Sequence, residues 1–195
     1  MARSTGVKSK VDRVAVELFA QRGVDGVAIA DIATAAGVSQ GALYRYYRSK
    51  EALADALFAD AYRRTGEELA AIRAAQPGFA ARIAAMVAHF CALYDADPAL
   101  FRFLLLAQHA LLPRLGDEPA APIAAIEAAV ADAVAVGEIA PVDAALAAAA
   151  IMGIVLQAAL FHVYHRIAGA LTPRAPALAR AAIAAVAALA SGTGA

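Results

Sequence analysis

Alanine supplies much of the apolar content of this chain, and nowhere do Val, Ile, Thr and Tyr alternate with polar residues over the length of a strand. Alanine is the best helix former and only a weak hydrophobe, whereas a half-buried strand needs a period of two. Both facts restrict the chain to an all-α fold. At 195 residues, 62% hydrophobic and 17% charged, it lies outside the disordered class and is long enough to bury a core.

Glycine and proline divide the sequence into about nine helices. The first is expected over 8–22, with Val11, Val14, Ala15, Leu18 and Phe19 on one face and Gly23 as its stop. A short second helix follows over 28–35, broken by Ala36-Gly37-Val38. Ser39 is placed to cap a third that ends at Tyr46 or Tyr47, and Ser49 to cap a fourth that runs to about residue 75 with Glu51 in its first turn. Further helices are expected over 79–94, 99–111, 120–136, 142–168 and 174–190. Residues 1–7 and the tail SGTGA are expected to be loose. Asp95/Asp97 and Asp117/Glu118 sit beside prolines as solvated turns.

The net charge is zero, but its distribution is uneven. Residues 1–50 hold eight Lys/Arg against four acids, and the remainder nine against thirteen. A basic front end suits a polyanion. Cys91 is the only cysteine, which leaves no disulfide framework and suits an inert buried thiol in a reducing cytoplasm. No long apolar run follows the N-terminal basic residues, so no signal peptide is expected. The stretch 144–161 is apolar apart from Gln157, but it is short for a span and reads better as a helix buried between the core and a partner. His89, Cys91, His162 and His165 form no tight ligand cluster, and neither metal nor cofactor is expected. Nucleophile elbow, phosphate loop and paired-acid motifs are all missing, so the chain is not read as an enzyme.

Two short helices joined around Gly37 have the form of a helix-turn-helix, with Ile32, Val38 and Leu43 placed to lock them. In that motif the second helix enters the major groove tip first. Gln40-Gly41-Ala42 provide small and polar groups for close approach to base edges. Tyr44, Arg45, Tyr46, Arg48 and Lys50 provide hydroxyls and cations suited to phosphates. Tyr47 reads as core, Lys8, Lys10 and Arg13 as a solvated helix face, and Arg45 as a base reader, a phosphate clamp or an idle side chain.

The stretch 19–57 resembles the N-terminal domain of the tetracycline-repressor (TetR) family. The matching elements are Phe19-Ala20, Gly23, Asp31-Ile32-Ala33, Ala36-Gly37-Val38-Ser39, Gly41-Ala42-Leu43-Tyr44 and Ser49-Lys50-Glu51-Ala52-Leu53. The resemblance implies a three-helix helix-turn-helix domain over 1–50 and a helical ligand-binding and dimerisation domain over 51–195. It implies a cytoplasmic homodimer on a near-palindromic double-stranded DNA operator, usually a repressor released by a small-molecule effector. Carried over by position, Gln40, Gly41, Ala42 and Arg45 would read bases, and Ser39, Tyr44, Tyr46, Arg48 and Lys50 would hold phosphates. Two positions depart from the family pattern: Val27-Ala28 replace a capping Thr, and Tyr46-Tyr47 replace His-Phe, which leaves the Tyr47 hydroxyl in need of a partner.

Behind this domain, Tyr62, Met86, Phe90, Phe103, Gln108, Gln157 and Phe161 are candidate effector-pocket residues, in a region where pocket and core draw on the same residue types. Leu178, Ala182, Val186 and Leu189 form one helical stripe, expected to face a symmetry mate in a four-helix interface made with the preceding helix. The competing readings are a regulator or activator that needs no effector, a DNA-compacting protein without sequence preference, and a helical membrane or scaffold protein.

Overall fold

The computed structural model describes residues 2–116 and 121–191, with side chains from Gly6 onward. The described residues form helices and contain no strand: α1 (Ala2–Arg22), α2 (Ile29–Ala36), α3 (Gln40–Tyr44), α4 (Lys50–Ala75), α5 (Phe79–Ala96), α6 (Pro98–Leu115), α7 (Pro122–Ala135), α8 (Ala144–Val163) and α9 (Ala175–Ser191). A single 3-10 turn, Thr172–Arg174, leads into α9. The Asp117/Glu118 pair and residues 192–195 lie outside the described residues.

α3 ends at Tyr44, short of the expected Tyr46 or Tyr47, and three boundaries differ from the sequence expectation by four residues or more. α1 starts at Ala2 rather than Lys8, because no proline interrupts residues 2–7 and each added residue gains a bond once the helix is nucleated. α6 continues through Pro113 to Leu115. Proline removes one N–H there, but Pro113 and His109 are both exposed, where water can serve the freed carbonyl. α8 stops at Val163 rather than near 168, because His165 turns left-handed at φ 57° and Arg166 N–H reaches back to the Phe161 carbonyl at 2.8 Å.

The chain packs as two units. The first combines residues 1–61 with 97–117, and the second residues 62–96 with 118–195. In the first, α1 packs on both α2 and α6. Phe103 of α6 stacks on Phe19 with centroids 5.7 Å apart and meets Phe58 edge-on at 6.2 Å. All three rings are at most 2% exposed. Two ion pairs flank this aromatic core: Arg13 with Asp97 at 2.6 Å and Arg114 with Asp55 at 3.1 Å. Asp97 also caps α6 by accepting from Leu100 N–H.

In the second unit α9 packs on α5 and α8, and α7 packs on α8. Glu138 caps α5 from the α7–α8 connection, accepting from Phe79 N–H at 2.6 Å. Asp95 holds the start of the 3-10 turn by accepting from Leu171 N–H, Thr172 N–H and the Thr172 hydroxyl. Burial raises the Asp95 pKa, but those three hydrogen bonds outweigh it and hold the carboxyl below its ordinary range. His162 bridges the Tyr94 hydroxyl and the Gly169 carbonyl, each at 2.7 Å.

The stripe Leu178, Ala182, Val186 and Leu189, expected at a dimer interface, lies on the inward side of α9. Ala182 and Val186 are fully buried within the single chain, and Leu178 and Leu189 are half-buried. α9 needs an apolar face for α5 and α8, and its largest side chains supply it. By length and composition Phe79–Ala96, Ala144–Val163 and Thr172–Ser191 each suffice to cross a membrane. In α5 the apolar residues Phe79, Ile83, Met86, Val87 and Phe90 are buried in protein. α8 instead exposes Leu146 and Phe161.

Candidate nucleic-acid interface

The helix-turn-helix is set by three local devices. Gly37 closes α2 at φ 64°, a left-handed backbone that a side chain resists, and its N–H and that of Val38 return to the Thr34 and Ala33 carbonyls at 3.0 Å. A Cβ at Gly37 would meet Lys10 Nζ at 3.5 Å, which places that ammonium beside the negative end of α2. Ser39 then caps α3, its hydroxyl accepting from Ala42 N–H at 3.1 Å.

Where the family pattern has a capping Thr, Ala28 offers no side-chain acceptor. Asp31 reaches back instead and accepts from Ala28 N–H at 3.1 Å, so half of a capping box survives. Arg22 lies 3.6 Å from the same carboxylate. Gly26, which drew no notice in the sequence, permits this entry: a Cβ there would overlap the Arg22 carbonyl oxygen. Its signal was an ordinary glycine in a turn, indistinguishable from Gly23 without coordinates.

α3 has five residues, and only Leu43 is buried. Of the predicted base-reading residues, Gln40, Gly41 and Arg45 are exposed and Ala42 is half-buried; Ser39 before them is exposed too. Tyr44 is 50% exposed, and Arg48 is also exposed. Tyr46 is half-buried. Lys50 is the more enclosed cation, its side chain 18% exposed and 3.9 Å from Glu51. Ser49 caps α4 by accepting from Ala52 N–H at 3.0 Å. The Glu51 carboxyl is held below its usual range by its own backbone N–H and by Ser49.

Tyr47 is buried, and its hydroxyl donates to Asp12 of α1 at 2.7 Å, which answers the need raised by its sequence. Asp12 pairs in turn with Lys8 at 2.7 Å, and Lys8 Nζ lies 5.3 Å from the Tyr47 ring centroid. Burial keeps the Tyr47 phenol protonated beyond its ordinary range, and the Asp12 hydrogen bond holds Lys8 charged.

The candidate effector residues fall in different places. Phe103 belongs to the aromatic core of the first unit and also lines a groove of about 420 Å³ there, between the end of α1, the first turns of α4 and the last turns of α6. Gln108 donates to the Leu105 carbonyl of its own helix. Met86 and Phe90 are buried in the second unit, and Tyr62 is half-buried. Gln157 and Phe161 share an open, almost wholly apolar groove on α8 with Ala150, Gly153, Ile154, Ala158 and Ile167. Cys91 is buried, and burial raises its thiol pKa with help from Asp95, as for an unreactive thiol. No three His, Cys, Asp or Glu side chains converge on a metal position among the described residues.

Residues 13–57 match the family model described as bacterial regulatory proteins, tetR family. Over 43 residues the chain is 49% identical to MftR of Mycobacterium tuberculosis, a transcriptional regulator assigned to mycofactocin biosynthesis. That match spans 22% of each chain. Over 51 residues it is 39% identical to the transcriptional repressor KstR2 of Rhodococcus jostii, spanning 26% of this chain and 25% of that one. The sequence matches to these curated relatives therefore cover about a quarter of their length or less. The fold likeness extends further. The transcriptional regulator FadR from Bacillus subtilis, solved in complex with stearoyl-CoA, superposes with a TM-score of 0.75 at 18% identity, over 90% of this chain and 97% of that one. The helix-turn-helix segment, residues 13–57, is thus similar to that of the tetR family of bacterial regulatory proteins.

Proposed function

We propose that this protein is a sequence-specific DNA-binding transcription regulator, acting in the cytoplasm as a homodimer and by binding rather than catalysis. The observation that carries this reading is the tip of α3. It is capped by Ser39, anchored through Leu43, and leaves Gln40, Gly41, Tyr44, Arg45 and Arg48 exposed on one short segment. A tip of that kind fits the major groove, with small and polar groups toward base edges and cations toward phosphates. Residues 1–50 are the reading part and 51–195 the sensing and pairing part.

Pairing is assigned to the exposed face of α8, where Leu146, Ala149, Gly153, Gln157 and Phe161 recur every three to four residues. Small side chains there permit close approach of a second helix, and Phe161 is 44% exposed. The matched KstR2 is a repressor, and repression released by an effector is the mode proposed here. The effector needs only different affinities for the DNA-competent and DNA-incompetent states. Because the FadR of similar fold binds stearoyl-CoA, long-chain acyl thioesters are the first class to test.

Selection of bound duplexes from random DNA is the primary experiment, and it should return a near-palindromic sequence. Equal retention of random duplex at fixed salt would instead favour a DNA-compacting role. Lys50→Ala should weaken binding to every sequence and reduce the salt slope by about one. An unchanged slope removes Lys50 from the phosphate contacts.

A further inference from the structure

The third helix is too short to orient itself. Its five residues bury one side chain, Leu43, and an apolar contact resists pulling the helix away more than rolling it about its axis. Directional control comes from one turn beyond its end. Tyr46 and Tyr47 N–H both return to the Leu43 carbonyl, at 2.9 and 3.1 Å, so the backbone from Leu43 to Tyr47 is one continuous turn. The far end of that turn is tied to α1 by the Tyr47 hydroxyl on Asp12 Oδ1, while Lys8 takes Asp12 Oδ2 and lies over the same ring. The two carboxylate oxygens thus take different donors, and both bonds measure 2.7 Å. A phenylalanine would fill the site as well. Only the hydroxyl adds a direction.

We propose that Tyr47, Asp12 and Lys8 form a positioning clamp that fixes the rotation of α3 against α1, and through it the sequence discrimination of the exposed Gln40–Arg45 segment. The clamp rests on the reading of α3 as a DNA-reading helix. Its residues touch no base; they act through the helix they hold. Asp12 is the hinge of the arrangement, because losing it removes both the hydroxyl acceptor and the counter-charge of Lys8. Charge-assisted bonds of this length are among the stronger side-chain hydrogen bonds.

The test compares wild type with Tyr47→Phe, Asp12→Ala and the double variant, first without DNA. Amide hydrogen exchange at residues 43–47 should quicken roughly tenfold in either single variant, with the double no faster than the quicker single, because all three lose the same bond. Exchange in α5 and α9 should stay unchanged. On DNA, the ratio of affinities for the selected duplex and for random duplex at fixed salt should fall roughly tenfold in Tyr47→Phe, with random-duplex affinity held within about twofold. Unchanged exchange at 43–47, additive effects, an equal quickening throughout α1 and α2, or a preserved ratio overturns the clamp. A wild type with no preference between duplexes would overturn the regulator reading instead, and the exchange measurements would still decide the clamp.

Discussion

Replacing Leu43 with alanine probes the anchoring of the reading helix directly. Leu43 is fully buried and is the only buried residue of α3. The substitution removes three carbon groups, a transfer loss of about 2.4 kcal/mol at about 0.8 kcal/mol each. The cavity left behind adds to this, and buried Leu→Ala changes cost about 2–5 kcal/mol overall. A five-residue helix capped at one end by a serine can settle partly into the space, so a loss of about 3 kcal/mol is expected. Because the chain packs as two units, a single global unfolding midpoint is a poor readout. Amide exchange at residues 40–47 is local and should quicken by roughly a hundredfold, which corresponds to about 3 kcal/mol. Operator affinity should fall with it, while exchange in α7 and α8 stays put. A change below about 1 kcal/mol, or roughly fivefold, would refute the claim that α3 is held chiefly by this side chain.

Other positions give independent checks. Gly26→Ala should destabilise the first unit by more than about 1 kcal/mol, because the added Cβ meets the Arg22 carbonyl oxygen, whereas Gly6→Ala meets nothing within 4 Å; denaturant titrations of the two variants compare them. His165→Gly should raise the thermal midpoint of the second unit, since the left-handed φ of 57° is costly for histidine by up to about 1 kcal/mol and free for glycine; a lowered midpoint would show that the imidazole compensates. Asp95 has a folded pKa below its unfolded value despite burial, because Thr172 and Leu171 donate to the charged form. Its stabilisation is therefore complete above the ordinary carboxylate pKa and fades as pH falls through the lower folded value. Asp95→Asn should cost most near neutral pH, and the gap to wild type in urea unfolding should narrow on acidification.

Local chemistry in the sequence determined the all-α class, the punctuation of the helices, the Ser39 and Ser49 caps, the Gly37 turn and the helix-turn-helix they build. Each depends on residues within about four positions of one another, the range over which helix periodicity and capping act. Tertiary structure alone decided the rest. That α6 packs on α1 depends on Phe19, Phe58 and Phe103 meeting across long stretches of chain. The acceptor for the Tyr47 hydroxyl stands 35 residues away in Asp12, one of several carboxylates a sequence could equally nominate. The stripe on α9 was visible, but its partner was not. An alanine-rich helix carries the same apolar pattern whether α5 and α8 of its own chain cover it or a second chain does, so periodicity fixes which residues align and leaves open what lies against them.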